Sequence, residues 1–245
     1  MKTTLFRIGL VLFLFWGNVA YSEPLHLLAQ DFPPLAMRVS GESSGNPDDP
    51  LTGIYMDIVK EMSKRSGIEY TLKIYTWERA YKTALETPGC GLFSFRTPER
   101  EGLFYWVGPL IPMDWTLLAK KSRNIKLKSL EDARKYKIGG YKNGAIGMFL
   151  EKQGFDVESV SFNHLNVRKL DAEKIDLWAV PEAVGQYLAK REGVSGFERV
   201  FTIKELGIFM GLNKSVSPDL IAKLNKIIQE MKDDGTLEKI YVRYR

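Results

Sequence analysis

The sequence contains a single cysteine, Cys90, and only two histidines, His26 and His164. One cysteine cannot form an internal disulfide, so the hydrophobic core must hold the fold together. A structural zinc site usually takes four cysteine and histidine ligands, which argues against one here. We therefore expect no metal and no cofactor. Cys90 lies in an apolar stretch and is interpreted as a small buried side chain.

Long apolar runs are also absent after the N-terminus. The first residues combine a basic head (Lys2 and Arg7), an apolar run over 8–16 and small residues at Ala20 and Ser22. This pattern is typical of a secretory signal peptide, and the apolar run is shorter than the roughly 20 residues of a membrane span. We predict a signal peptide over 1–22, cleaved near Ala20 or Ser22, and a periplasmic location. An uncleaved anchor is the alternative.

The sequence has little excess charge. Its formal net charge is +5, which falls to +3 without Lys2 and Arg7, and the remaining basic residues are interleaved with acids. Such a distribution indicates solvated surfaces, so we expect no nucleic-acid partner. A mild positive bias can attract anionic solutes but identifies none of them.

Short apolar segments alternate with helically spaced apolar residues, which is typical of an α/β fold. A polar segment over 40–50 is predicted to be an exposed loop. The predicted strands cover 25–29, 70–75, 91–95, 115–119, 137–140, 175–180 and 209–212. The predicted helices run from Ile54 to Gly67, over 77–85, from Leu130 as a short helix, over 144–153, over 182–190, from Pro218 to 233, and over 237–244.

Two similar strand–helix series are separated by apolar strands near Trp115 and Met210, without a flexible linker. This arrangement predicts two lobes joined by two crossing strands, with the first lobe at 23–115, the second at 116–210 and a return to the first at 211–245. Ligands of such lobes bind at the carboxyl ends of the strands, in the cleft between the lobes. Hinged closure then traps the ligand.

Several short motifs, in a specific order and spacing, resemble those of the extracellular solute-binding proteins of family 3, the polar amino-acid binders of ABC importers. The resemblance covers nearly all of the chain after the signal peptide. It implies a type II periplasmic-binding-protein fold, a small-molecule ligand, a membrane ABC permease as partner and a monomer. The matching segments are 32–34 (FPP), 53–58 (GIYMDI), 77–80 (WERA), 96–100 (RTPER), 107–109 (VGP), 129–132 (SLED), 176–179 (DLWA) and 234–241 (DGTLEKIY).

Arg100 is the first candidate site residue that the resemblance implies. In the family, the arginine at this position of the motif clamps the carboxylate of the ligand, and a planar guanidinium can donate two parallel hydrogen bonds to it. The alternative is a surface arginine paired with Glu99 or Glu101.

Aromatic and hydroxyl residues are the next candidates. The family places a ring over the ligand at the position of Phe32, and Trp77 begins a helix at another cleft-facing position. Ser94 and Thr97 are candidate donors at the end of a strand. The alternative roles are core packing for the two rings and turn capping for the two hydroxyls.

The sequence departs from the family pattern at the positions that select the ligand. Phe95 replaces a usual hydroxyl residue. Asn143 and Ala145 stand where a helix N-terminus usually presents amides and hydroxyls, and Tyr141 flanks that loop. The usual acceptor of the ligand's ammonium is an aspartate, for which Glu182 is a displaced substitute or only a helix-start glutamate. We therefore expect a small carboxylate-bearing or otherwise anionic solute, with amino acids still open.

Two other functional classes remain as alternatives. Some proteins of this fold are dehydratases of cyclic carboxylic acids, whereas others sense ligands for membrane receptors. The sequence has no His-Glu-x-x-His motif, no phosphate loop and no Rossmann glycine fingerprint, although counts alone leave a cysteine–histidine pair open. We expect a binding protein and not an enzyme, and we expect no effector domain after Arg245.

Overall fold

A computed structural model describes residues 24–40 and 49–244 of the protein. The predicted signal peptide over 1–22 and most of the predicted loop over 40–50 lie outside the described residues. Within the described ranges, no helix is both long and apolar enough to cross a bilayer.

The strands form two five-stranded sheets and a small hairpin. In chain order they are β1 (Leu25–Gln30), β2 (Met37–Arg38), β3 (Leu51–Thr52), β4 (Tyr70–Tyr75), β5 (Cys90–Phe95), β6 (Tyr105–Pro112), β7 (Trp115–Lys120), β8 (Ile138–Tyr141), β9 (Val157–Val160), β10 (Leu177–Val180), β11 (Phe197–Lys204) and β12 (Gly207–Leu212). The first sheet has the order β4-β1-β5-β12-β6, and the second has the order β11-β7-β10-β8-β9. In each sheet parallel strands share the sheet with antiparallel ones.

Helices cover the sheets. They are α1 (Ile54–Ser66), α2 (Trp77–Glu86), α3 (Pro98–Glu101), α4 (Ala145–Lys152), α5 (His164–Asp171), α6 (Glu182–Arg191), α7 (Pro218–Asp233) and α8 (Thr236–Val242). The helix predicted from Leu130 is a 3₁₀ turn at Glu131–Lys135. The other predicted helices and the seven predicted strands are confirmed, with ends displaced by at most a few residues.

The two sheets are the cores of two lobes, and the two-lobed α/β architecture is therefore confirmed. The chain crosses from β6 to β7 through Met113 and Asp114, and returns from β11 to β12 through Glu205 and Leu206. The predicted boundaries after 115 and after 210 fall inside β7 and β12. The crossings lie a few residues earlier because each of these strands pairs over its whole length within one sheet.

The crossing segments are bonded to each other. The amide of Met113 donates to the carbonyl of Leu206 at 2.8 Å, and the amide of Leu206 donates to Oδ1 of Asp114 at 3.1 Å. We call these two crossing segments the hinge. Their backbone amides have hydrogen-bond partners although they belong to neither sheet, so they avoid the free-energy cost of unpaired polar groups.

The apolar face of α7 illustrates how the first lobe is stabilised. Leu224, Ile227, Ile228 and Met231 follow helical spacing and are all buried. Burying each side chain of this size contributes about 1.5–3 kcal/mol relative to exposure. Cys90 is buried as predicted.

A glycine at the start of α1 positions the loop that follows β1. Gly53 has φ +118°, and a Cβ there would lie 2.7 Å from the carbonyl oxygen of Leu35. Because only glycine tolerates this conformation and approach, the α1 amides of Ile54 and Tyr55 reach the carbonyls of Pro34 and Leu35. The loop that carries Phe32 is thereby fixed against α1.

Candidate ligand-binding site

A cavity of about 80 Å³ lies between the lobes, where strands of both sheets end. Gln30, Phe95, Tyr141 and Val180 are the last residues of β1, β5, β8 and β10, and all four line it. This is the position expected for a ligand in open α/β lobes. The remaining lining residues are Phe32, Tyr55, Trp77, Phe93, Ser94, Arg100, Asn143, Gly144, Ala145, Ile146, Gly147, Asn163, Ala179, Pro181 and Ile208.

The turn after β5 brings Arg100 to the cavity. Its Nη1 donates to Oγ of Ser94 at 2.7 Å, and its Cζ lies 4.7 Å from the centre of the Trp77 ring. Burial lowers the pKa of Arg100, but an arginine stays cationic at neutral pH. A hydrogen bond and a π face therefore hold this cation without neutralising it.

Arg100 does not form the surface ion pair that was its alternative interpretation. Glu101 accepts from Nε of Arg96 at 2.6 Å, outside the cavity, and the exposed Glu99 lies beyond ion-pair distance of Arg100, on which it acts only by electrostatic attraction at longer range. Among the described residues, no carboxylate forms an ion pair with Arg100. A largely desolvated cation without a carboxylate at ion-pair distance is suited to binding an anion.

Aromatic rings form much of the cavity wall. Phe32, Trp77 and Phe95 line it, as the sequence indicated. Tyr55 is buried and also lines the cavity, stacked on Phe93 with ring centres 4.1 Å apart. Such walls exclude water and favour a ligand with a flat apolar part.

The second lobe contributes a loop and the start of a helix. Tyr141 ends β8, Asn143 has a left-handed backbone with φ 57°, and Ala145 begins α4 without a side-chain cap on its first-turn amides. Nδ2 of Asn143 donates to Oε1 of Glu78 at 2.9 Å, which joins the second lobe to α2 of the first. This hydrogen bond lowers the pKa of Glu78, whereas burial raises the pKa of Tyr141.

Two predicted site residues lie outside the cavity lining. The carbonyl of Thr97 accepts from the amide of Arg100 at 2.9 Å, so Thr97 shapes the turn that presents the arginine. Glu182 begins α6, and its carboxylate lies 3.5 Å from Nε of Arg199, in a separate groove. Glu182 is therefore not placed as an ammonium acceptor, because the helix directs it to β11.

Two polar lining residues were missed by sequence reasoning. Oε1 of Gln30 and Oδ1 of Asn163 are buried and have no hydrogen-bond partner among the described residues. Gln30 could have been found as the last residue of the predicted first strand. Asn163 lies between β9 and α5, neither of which was predicted, so no signal marked it. In the same part of the chain, no group of three or more histidine, cysteine, aspartate or glutamate side chains could hold a metal.

Comparison of the sequence with known protein families identifies the family of this chain. The sequence profile of the bacterial extracellular solute-binding proteins, family 3, matches residues 28–245. The chain belongs to this family. The resemblance predicted from the short motifs is thus confirmed.

Relatives of this family-3 protein include known amino-acid binders. The L-cystine-binding protein TcyJ of Escherichia coli (strain K12) is 23% identical over 203 residues, which cover 79% of this chain and 74% of that protein. An ancestral arginine-binding protein bound to arginine has a TM-score of 0.73 at 21% identity, covering 91% of this chain and 99% of the other. A histidine kinase sensor domain similar to periplasmic binding proteins has a TM-score of 0.77 at 14% identity, with coverages of 91% and 96%. The two structures establish the same fold.

Proposed function

We propose that this family-3 protein captures a small carboxylate-bearing solute in the periplasm by hinged closure, and delivers it to a membrane ABC permease. The observation that carries the proposal is the guanidinium of Arg100, which has no carboxylate at ion-pair distance among the described residues and lines a cavity between the two lobes. A carboxylate bound there would receive charge-assisted hydrogen bonds from Arg100 and from the first-turn amides of α4. Closure would also remove these groups from water.

The cavity lining favours binding over catalysis. Of the described residues, neither a histidine nor a carboxylate lines it, and its candidates for proton transfer are Tyr55 and Tyr141. Burial raises the pKa of both phenols, which moves them away from the range useful for a general base at neutral pH. Turnover of a cyclic hydroxy acid by the purified protein would instead support the dehydratase alternative.

A short serine motif does not change this conclusion. Residues 41–45 read Gly-Glu-Ser-Ser-Gly, the spacing of a hydrolase nucleophile elbow, and lie outside the described residues. The segments on either side are β2 and β3, which pair as an antiparallel hairpin. A nucleophile elbow connects a strand to a helix, so its context is missing here.

The experiment that tests the binding proposal begins with ligand identification. Native mass spectrometry of the protein purified from its periplasm, supported by a thermal-shift screen of polar metabolites, identifies a ligand because binding to the folded state raises its apparent stability. Calorimetry then compares Arg100→Ala with Arg96→Ala, a neighbouring arginine that does not line the cavity. We expect Arg100→Ala to lose at least about 30-fold in affinity. Equal affinities of the two variants would defeat the proposal.

A sensor role is the second candidate, favoured by the similarity to the kinase sensor domain. In that case the closed form would report to a separate membrane receptor and not to a permease. Deletion of the gene, followed by measurement of solute uptake and of signalling output, separates the two roles.

A further inference from the structure

The charges around the cavity differ from what a zwitterionic ligand needs. Arg100 is the one charged side chain among the described lining residues. An amino acid bound through its carboxylate would bury its ammonium without a counter-charge, and a buried unpaired charge is strongly unfavourable. A ligand with a single negative charge therefore matches the charge of this lining better than a zwitterion does.

The lining does contain neutral acceptors. Gln30 ends β1 in the first lobe and Asn163 precedes α5 in the second, so closure brings the two amides to one cavity. Their oxygens are buried, and neither has a partner in the described part of the chain. Each amide group also carries both a donor and an acceptor but no charge, so the two side chains can pair with an uncharged polar group of a ligand and cannot neutralise an ammonium.

Acidic groups occur only beyond this lining. Asp31 and Glu78 border an adjoining groove, which we call the mouth and which shares Gln30, Tyr141 and Asn163 with the cavity. Glu78 already accepts from Asn143. The mouth also carries Arg38, Arg79, Lys142 and Arg191, so basic residues outnumber acidic ones there. The mouth therefore also favours an anionic solute over a cationic one.

We propose that the cavity selects a monoanionic carboxylate whose second polar group is an uncharged donor such as a hydroxyl, received by the amides of Gln30 and Asn163. This inference rests on the proposed function and narrows its ligand class. Arg100 orients the carboxylate, the aromatic walls cover an apolar body, and the two amides discriminate by hydrogen bonding. The ligand would thus be a hydroxy acid and not the corresponding amino acid.

Matched sets of compounds test this selectivity. Calorimetry would measure 3-phenyllactate, L-phenylalanine and 3-phenylpropionate, and the smaller set lactate, L-alanine and propionate. Within at least one set, we expect the hydroxy acid to bind about tenfold more tightly than both the amino acid and the acid without a donor. Tighter binding of the amino acid, or no binding of either hydroxy acid at millimolar concentration, would overturn the inference.

Isosteric charge variants test the amides themselves. Asn163→Asp supplies the missing counter-charge, so the affinity ratio of amino acid to hydroxy acid should rise at least tenfold. Asn124→Asp adds the same charge at an exposed position outside the cavity and should leave the ratio unchanged. Gln30→Glu repeats the test from the other lobe, should Asn163→Asp fail to fold by circular dichroism.

The results separate this inference from the proposed function. Loss of all carboxylate binding in Arg100→Ala, with no change of ratio in Asn163→Asp and Gln30→Glu, would refute the amide assignment and leave the carboxylate clamp standing. If the affinity ratio of amino acid to hydroxy acid changes in Asp31→Asn instead, the second polar group of the ligand lies at the mouth. That result would also refute the amide assignment. Undiminished binding in Arg100→Ala would refute the proposed function.

Discussion

Asn143 of the second lobe donates a 2.9 Å hydrogen bond to the carboxylate of Glu78 in the first lobe. The left-handed backbone of Asn143 directs this contact, and asparagine adopts that conformation more readily than most residues. Because its two partners belong to different lobes, a motion that separates the lobes at this point would break the contact. It is therefore a latch on the closed form.

We predict that Glu78→Ala weakens ligand affinity modestly, by about fivefold at most, since Glu78 is exposed and exposed polar pairs contribute about 0–1 kcal/mol. The hydrogen bond lowers the pKa of Glu78 in the closed form from its usual value of 4.5. The latch is thus fully present above pH 4.5 and is lost as the pH falls through the lowered pKa. Calorimetry at several pH values compares the ligand affinity of the wild type with that of Glu78→Gln. If the two affinities depend on pH in the same way, the prediction is wrong.

Ser94 is predicted to position Arg100. Its hydroxyl accepts from Nη1 of the arginine at 2.7 Å and is itself buried. Ser94→Ala should reduce carboxylate affinity by about tenfold to 150-fold, because a hydrogen bond to a charged group contributes roughly 1.5–3 kcal/mol. Ser122→Ala, an exposed serine of the second lobe, is the control. An unchanged dissociation constant in Ser94→Ala would show that the aromatic rings alone hold the guanidinium.

Gly53 is predicted to be intolerant of a side chain. Gly53→Ala should lower the free energy of unfolding by about 1–3 kcal/mol or more, because it combines a positive φ with a Cβ clash against backbone carbonyls. Gly67→Ala is the matched control, since Gly67 also has a positive φ (71°) but faces open space. Urea denaturation measures both, and equal losses would show that the clash relaxes without cost.

Asp234 is predicted to contribute to acid stability. Hydrogen bonds from Thr236, and secondarily Arg65, lower the pKa of Asp234 from 3.8 to about 2. The stabilisation is present above pH 3.8 and is lost as the pH falls towards 2, because protonation removes the acceptor. Asp234→Asn should therefore flatten the dependence of unfolding free energy on pH between 4 and 2. Asp156→Asn, at an exposed aspartate, should keep the wild-type slope.

The central strands were predictable from sequence, whereas three edge strands were not. β5 and β10 are buried on both faces and appear as apolar runs. The missed strands β6, β9 and β11 each lie at an edge of a sheet, where one side of the strand lacks a neighbour and polar residues are tolerated. β6 also contains Gly108-Pro109, a turn signal that an edge strand can accommodate.

The site was predictable where a motif carries it. Arg100, Phe32 and Trp77 follow from local motifs. Gln30 and Asn163 do not, because their importance depends on unpaired amide oxygens that only three-dimensional packing reveals. The resemblance implied Glu182 as a displaced ammonium acceptor, with a helix-start glutamate as the alternative, and the first turn of α6 directs its carboxylate to Arg199.

The paired hinge segments have a consequence for how the protein recognises its cargo. Met113 and Asp114 of one crossing are hydrogen-bonded to Leu206 of the other. Because sliding or twisting would break these bonds, we expect the lobes to open and close by a bend that the two crossings share. Such a bend would set the separation of Gln30 and Asn163 in the closed form. The length of a solute as well as its charge should therefore affect whether the lobes close over it.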